Sequence, residues 1–127
     1  MVLGIGVDMV EISEIARFLG DKPGGSYEMH TFSERERAWA RSHCEPAQTY
    51  AGMFAAKEAT TKAISFLVEV PGYDPRWVEL LHHDSGAPYI AVDGRMTDVF
   101  ARAGVHSVLV SISNEAGFAV AMVLVQS

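Results

Sequence analysis

Alanine recurs at positions 51, 55, 56, 59 and 63 in a stretch that runs from Pro46 to Leu67 without an internal proline. Alanine is the best helix former, and Pro46 suits a first turn, so the stretch is predicted to be one long helix. It is the longest element in the chain. Side chains this small let a helix approach its neighbours closely, so the helix is expected to be a central packing surface. Pro71-Gly72-Tyr73-Asp74-Pro75 ends the segment.

The remaining elements arrange themselves around it. Val2 to Val7 is short and apolar and reads as a buried strand, with Asp8 at its C-terminal end, where folds of strands and helices tend to present ligand groups. A helix is expected over Glu11 to Leu19, because Ile12, Ile15, Ala16 and Leu19 share one face at helical spacing; Gly20 stops it. Asp21 to Ser26 is a loop by composition. Ser33 and Glu36 match a capping box, which opens a second helix running to about His43. Val78–His82 and Tyr89–Val92 are expected to form a hairpin across Asp84-Ser85-Gly86-Ala87-Pro88. Asp93 to Ala103 is an amphipathic helix stopped by Gly104. Val108–Ser113 and Phe118–Val125 are two strong strands joined by a turn at Asn114-Glu115-Ala116-Gly117. Helices cluster early and strands late, so the expected class is α+β, with mixed helices and a mainly antiparallel sheet. At 127 residues, with no repeats and no low-complexity segment, one domain spanning 1–127 is expected.

Charge narrows the function classes. The net charge of −6 disfavours nucleic acid and anionic membrane surfaces, and no apolar run reaches spanning length. A lone Cys44 forbids an intrachain disulfide and suits a reducing cytosol, and the N-terminus lacks a signal-peptide pattern, so a cytoplasmic location is expected. His43 and Cys44 are adjacent on a helix and do not face one another, so structural or surface roles are expected for both. His82 and His83 point to opposite sides of a strand and would not share a metal.

Two acidic residues stand out. Asp8 follows the first strand, and Glu58 sits among alanines on the long helix with Lys57 and Lys62 beside it. If the fold unites Asp8 and Glu58, they form a hard-oxygen site for a divalent cation, suited to a phosphate-bearing substrate. Each has an ordinary reading too. Asp8 could cap a helix, Glu58 and Lys62 could be an exposed i,i+4 pair, and Gly4 and Gly6 could simply let a strand approach another backbone.

Taken together, Gly4-Ile5-Gly6-Val7-Asp8-Met9-Val10-Glu11-Ile12, Phe32-Ser33-Glu34-Arg35-Glu36, Ala51 to Ala63, Gly86-Ala87-Pro88 and Val110-Ser111-Ile112-Ser113 closely resemble the holo-acyl-carrier-protein synthases, the small 4′-phosphopantetheinyl transferases. The resemblance covers nearly the whole chain. It implies transfer of 4′-phosphopantetheine from coenzyme A to a serine of apo acyl carrier protein, with Mg²⁺ as cofactor and a homotrimer with clefts between subunits. It implies Asp8 and Glu58 as metal ligands and, with Lys62, as the catalytic set. It places Lys57, Lys62, Gly86, Pro88, Ser113 and Asn114 about the coenzyme, and gives Glu36 a supporting place near the cleft. The base for the serine proton stays open among Glu58, Glu36 and a metal-bound hydroxide. Three positions depart from the family pattern: Asn114 and Leu109 where histidine is usual, and Met53 where arginine is usual. Two polar contacts to the coenzyme phosphates are thereby lost, and Met53→Arg with Asn114→His is expected to tighten binding. The first helix carries Glu11 and Glu14 with only Arg17, against the basic surface expected for an acidic carrier. These departures support a competing reading, a protein that binds coenzyme A or a carrier domain with little or no transfer.

Overall fold

Gly4 and Gly6 set the distance between the two main layers. In the computed structural model, which describes residues 1–127, strand β1 (Val2–Glu11) lies directly beneath helix α4 (Pro46–Ile64). A Cβ at Gly4 would sit 2.0 Å from the Ala63 carbonyl oxygen, and one at Gly6 would sit 1.9 Å from that of Ala59. Backbone therefore meets backbone, and the alanines of α4 are the matching surface: Ala51, Ala55, Ala56, Ala59 and Ala63 are fully buried. The glycines are there for close approach, as the ordinary reading of the motif held.

β1 is longer than expected. It runs on through Asp8 to Glu11, so Asp8 lies inside the strand, opposite Ala121, rather than at its end. The strand pairs antiparallel with β5 (Phe118–Gln126), which pairs antiparallel with β4 (Ser107–Glu115), giving the order β1-β5-β4. The β4–β5 turn is tighter than expected. Asn114 and Glu115 belong to the strand, and Ala116 and Gly117, at φ 51° and 84°, form a two-residue turn of the kind that matches strand twist. On β5, Ala119, Ala121, Val123 and Val125 point to α4 and are buried, while the alternate residues face away.

Shorter elements close the core. Helix α1 (Ile12–Leu19) follows β1 and buries Ile15. Helix α2 (Ser26–Thr31) was not anticipated; its six residues lack an amphipathic repeat and hold through burial, with Tyr50 donating to the buried Glu28 carboxylate. Helix α3 (Glu34–Arg41) begins with the predicted capping box: Ser33 Oγ accepts from the Glu36 amide and Glu36 Oε1 accepts from the Ser33 amide. A 3₁₀ turn (Pro75–Trp77) leads into the hairpin β2 (Leu80–His82) and β3 (Pro88–Ile90), and α5 (Met96–Arg102) covers the far end of the core. The α+β class holds. No helix is long and apolar enough to cross a membrane.

Candidate active site

β1 and α4 unite the two acidic residues. Asp8 lies on the α4 side of β1, two residues beyond Gly6, and Glu58 is on the next turn of α4 to Ala59 and Ala63. Lys62 does not pair with Glu58 along the helix. Its ammonium donates to the Val7 carbonyl at 3.1 Å and to Asp8 Oδ1 at 3.2 Å. The Lys62 side chain is 57% exposed and that of Asp8 19%, so the bridge is a weak surface pair, worth about 0–1 kcal/mol, and easily exchanged for another anion.

Glu58 is placed less comfortably. Burial raises its carboxyl above the ordinary range, the Asp8 charge raises it further, and Lys62 opposes both. Two phenols stand nearby. The Tyr27 hydroxyl is buried without a hydrogen-bond partner, and the Tyr27 and Tyr73 phenols are both held above the usual range by burial first, with the Glu14 and Glu58 charges adding at Tyr27 and the Glu58 charge adding at Tyr73 against an opposing effect from Thr61. A carboxylate set close enough to a second one to feel its charge is suited to share a divalent cation with it. No group of three or more His, Cys, Asp or Glu side chains gathers anywhere in the chain. Two carboxylates with water and substrate phosphate oxygens completing the shell is the arrangement Mg²⁺ accepts, so the donor set fits that ion.

Lys57 stands elsewhere, against expectation. It is the neighbour of Glu58 in sequence but about 100° round the helix, and its side chain is 1% exposed. Its ammonium donates to Glu36 Oε1 at 2.6 Å, to the Pro75 carbonyl at 2.9 Å and to the Val78 carbonyl at 2.5 Å. All three N–H donors are used inside the protein, so Lys57 cannot contact a coenzyme phosphate. Glu36 is fully buried, accepting from Lys57 and from the Ser33 and Leu80 amides. It ties α3 to α4 and the hairpin, and has no place in an open cleft.

A second region forms a cleft of about 430 Å³ between α3, the first turns of α4, the β2–β3 hairpin and the end of β4. Gly86, Pro88 and Asn114, three of the residues that the resemblance grouped together, all line it. Gly86 adopts φ 91°, a conformation its turn requires and other side chains resist. Ser113 does not line the cleft: it is exposed and, by strand alternation, points to the opposite sheet face from Ile112 and Asn114. Met53 does not either. It is fully buried in the core, so an arginine there would be driven into apolar surroundings, and only Asn114→His survives as a way to add a cleft contact. Leu109 is exposed on the open sheet face.

Asp8, Glu58 and Lys62 do not line this cleft, so the chain holds the candidate site residues as two separate groups. Sequence reasoning missed Trp39, His43, Gln48 and His82, which also line it. No spacing could have grouped them, because they come from α3, the turn that follows it, α4 and β2.

The pattern of the 4′-phosphopantetheinyl transferase superfamily matches residues 4–123 of the chain. A holo-[acyl-carrier-protein] synthase of Anaeromyxobacter sp. (strain K) is 37% identical over 129 aligned residues, covering 99% of this chain and 97% of that protein. The crystal structure of the Neisseria meningitidis holo-[acyl-carrier-protein] synthase superposes over all of both chains with a TM-score of 0.87 at 26% identity. That of Bacillus anthracis, solved in complex with CoA (3′,5′-ADP), gives a TM-score of 0.78 at 29% identity over 100% of this chain and 98% of the other.

Proposed function

The chain belongs to the 4′-phosphopantetheinyl transferase superfamily, and we propose that it transfers the 4′-phosphopantetheine arm of coenzyme A to a serine of apo acyl carrier protein, releasing adenosine 3′,5′-bisphosphate. The observation that carries this reading is the meeting of Asp8 with Glu58 beside an exchangeable lysine. Nothing in the packing requires two carboxylates there, and a phosphoryl-type transfer does.

In this reading Asp8 and Glu58 would hold Mg²⁺, which would supply positive charge beside the pyrophosphate. Asp8 is positioned by the β1–β5 ladder and Glu58 by α4, so the two carboxylates arrive preorganised. Lys62 leaves Asp8 for the departing phosphate, an exchange of one exposed anion for another. Gly86, Pro88 and Asn114 seat the nucleotide. With Glu36 bound to Lys57 inside the core, Glu58 is the remaining side-chain candidate to receive the serine proton.

A homotrimer would bring the two groups of residues together across a subunit boundary. The sheet face turned away from α4 supports it: Ile5, Val7, Met9, Leu109 and Met122 are each 47–63% exposed, an apolar patch continuous over all three strands. The proposal further takes residues 1–127 as a single domain working in the cytoplasm. Intact-mass spectrometry of an apo acyl carrier protein incubated with the chain, coenzyme A and Mg²⁺, with an EDTA control, tests the function. A mass shift of one phosphopantetheine that EDTA abolishes is expected. Coenzyme A binding without a shift on several carriers would instead support the binding-protein reading, which the lack of any lysine or arginine in the cleft favours.

A further inference from the structure

The cleft contains no lysine, arginine, aspartate or glutamate. Its only groups that can gain charge near neutrality are two imidazoles, and both rest on one indole. The His82 ring lies 4.2 Å from Trp39 and parallel to within 3°; the His43 ring lies 4.6 Å from it, tilted by 37°. His43 is oriented by its own backbone, since its Nδ1–H donates to the Trp39 carbonyl at 2.7 Å, which leaves Nε2 free. His82 Nδ1 is buried with no partner. Burial holds the His82 imidazole below its usual pKa, and His43 opposite pushes the same way. The other elements around His82 add no charge: α4 contributes Gln48, Thr49 and Gly52, β4 contributes Ile112 and Asn114, and β3 contributes Pro88. In its own hairpin His83 turns away to stack on Tyr89 at 4.3 Å, next to the exposed Asp84.

We propose that the Trp39–His43–His82 stack is the anion contact of this cleft, and that it takes up a proton when a phosphate of the bound nucleotide arrives. This rests on the reading that coenzyme A occupies the cleft. A phosphate beside the two rings replaces the repulsion between them by attraction, so the proton that is unfavourable in the free protein becomes favourable in the complex. Trp39 keeps the two rings in place in either state, and an indole face tolerates a cationic ring stacked on it. The stack thereby supplies the positive charge that a cleft without lysine or arginine otherwise lacks, at the cost of making affinity depend on pH.

The sign follows from linkage. The pKa is raised in the complex, so the added affinity is fully present below the free-protein pKa. It is lost as pH rises through the pKa of the complex, with a slope of up to about tenfold per pH unit between the two.

The test is calorimetric titration of the whole protein with adenosine 3′,5′-bisphosphate from pH 5.5 to 8, in two buffers of different ionisation enthalpy, for wild type, His82→Gln, His43→Gln and His82→Lys. Uptake of up to one proton on binding and a loss of roughly tenfold in affinity across the range are expected for wild type. His82→Gln should abolish most of the uptake and flatten the profile at the weak end, and His82→Lys should flatten it with affinity retained. Histidine ring NMR shifts followed with and without the ligand read the same protonation directly, without relying on the variants. Binding with no proton uptake, or the same pH slope in His82→Gln as in wild type, overturns the proposal and leaves the coenzyme assignment standing. No binding at any pH overturns both.

Discussion

Lys57→Met should destabilise the protein strongly, because it strips a buried carboxylate of its paired cation. Lys57 and Glu36 are 1% and 0% exposed, with Nζ and Oε1 2.6 Å apart. Burial pushes the Glu36 carboxyl up and the Lys57 ammonium down; their mutual attraction is the main opposing effect, helped by the Ser33 and Leu80 amides at Glu36 and by the Glu79 and Asp74 charges at Lys57. Replacing Lys57 by methionine keeps the volume and removes the charge, leaving a carboxylate buried without its cation and the Pro75 and Val78 carbonyls without their donor. Breaking such a pair from one side costs about 3–5 kcal/mol. Total stability for a domain of this size is about 5–15 kcal/mol, so a cost of about 3–5 kcal/mol removes at least about a fifth of it and, at the low end, all of it. Urea unfolding followed by Trp39 and Trp77 fluorescence measures it. The variant also carries a pH signature. With its cation gone, Glu36 has a folded pKa raised far above its unfolded value, so the variant should recover stability as pH falls from 7 to 5. The double variant Lys57→Met/Glu36→Leu should recover much of the loss, though the Ser33 and Leu80 amides then lack an acceptor. The reasoning is refuted if Lys57→Met costs under about 1 kcal/mol and instead raises the KM for coenzyme A, because that is how a coenzyme-binding lysine behaves.

Gly6→Ala places a methyl 1.9 Å from the Ala59 carbonyl oxygen, and neither backbone can yield cheaply; a loss of about 3 kcal/mol in urea unfolding is expected, and a neutral result would mean α4 does not lie on β1 as described. Glu58→Gln removes a carboxylate whose folded pKa is raised, so the metal-free variant should be more stable than wild type at pH 8 by a few tenths of a kcal/mol, because the site is partly exposed, and should lose that gain by pH 4. In the same experiment Mg²⁺ should raise the melting temperature of wild type and leave that of Glu58→Gln unchanged; equal shifts would remove Glu58 from the metal site. Val7→Glu places a charge in the centre of the open sheet face, and should convert a trimer to a monomer by light scattering with the circular dichroism spectrum unchanged; an unaltered mass would place any interface elsewhere.

Much of the fold was legible because it rests on local rules. The Ser33–Glu36 capping box, the alanine-rich helix and the two long C-terminal strands each carry their signal within about ten residues, where propensity, capping and alternation act. Helix α2 was missed because six residues stabilised by burial of Glu28 and Thr31 have no periodic signature. The same division runs through the site. Asp8 and Glu58 could be singled out as carboxylates in unusual company, and the resemblance named their family. Lys57 could not be read correctly, because two lysines five residues apart look alike in sequence and differ only in which way α4 turns them. One meets Glu36 in a dry interior and the other reaches the surface beside Asp8.

Residue order therefore settles most element types, the α+β class and the family, and marks the glycines and alanines as surfaces of close approach without saying that they meet each other. Three-dimensional packing settles which polar groups are structural and which are free to act. Charge and solvation depend on what surrounds a group in space, and the surroundings of Glu36, Lys57, His43 and His82 are contributed by segments tens of residues away. Strand alternation then divides even adjacent residues, sending Asn114 to the cleft and Ser113 to the opposite face.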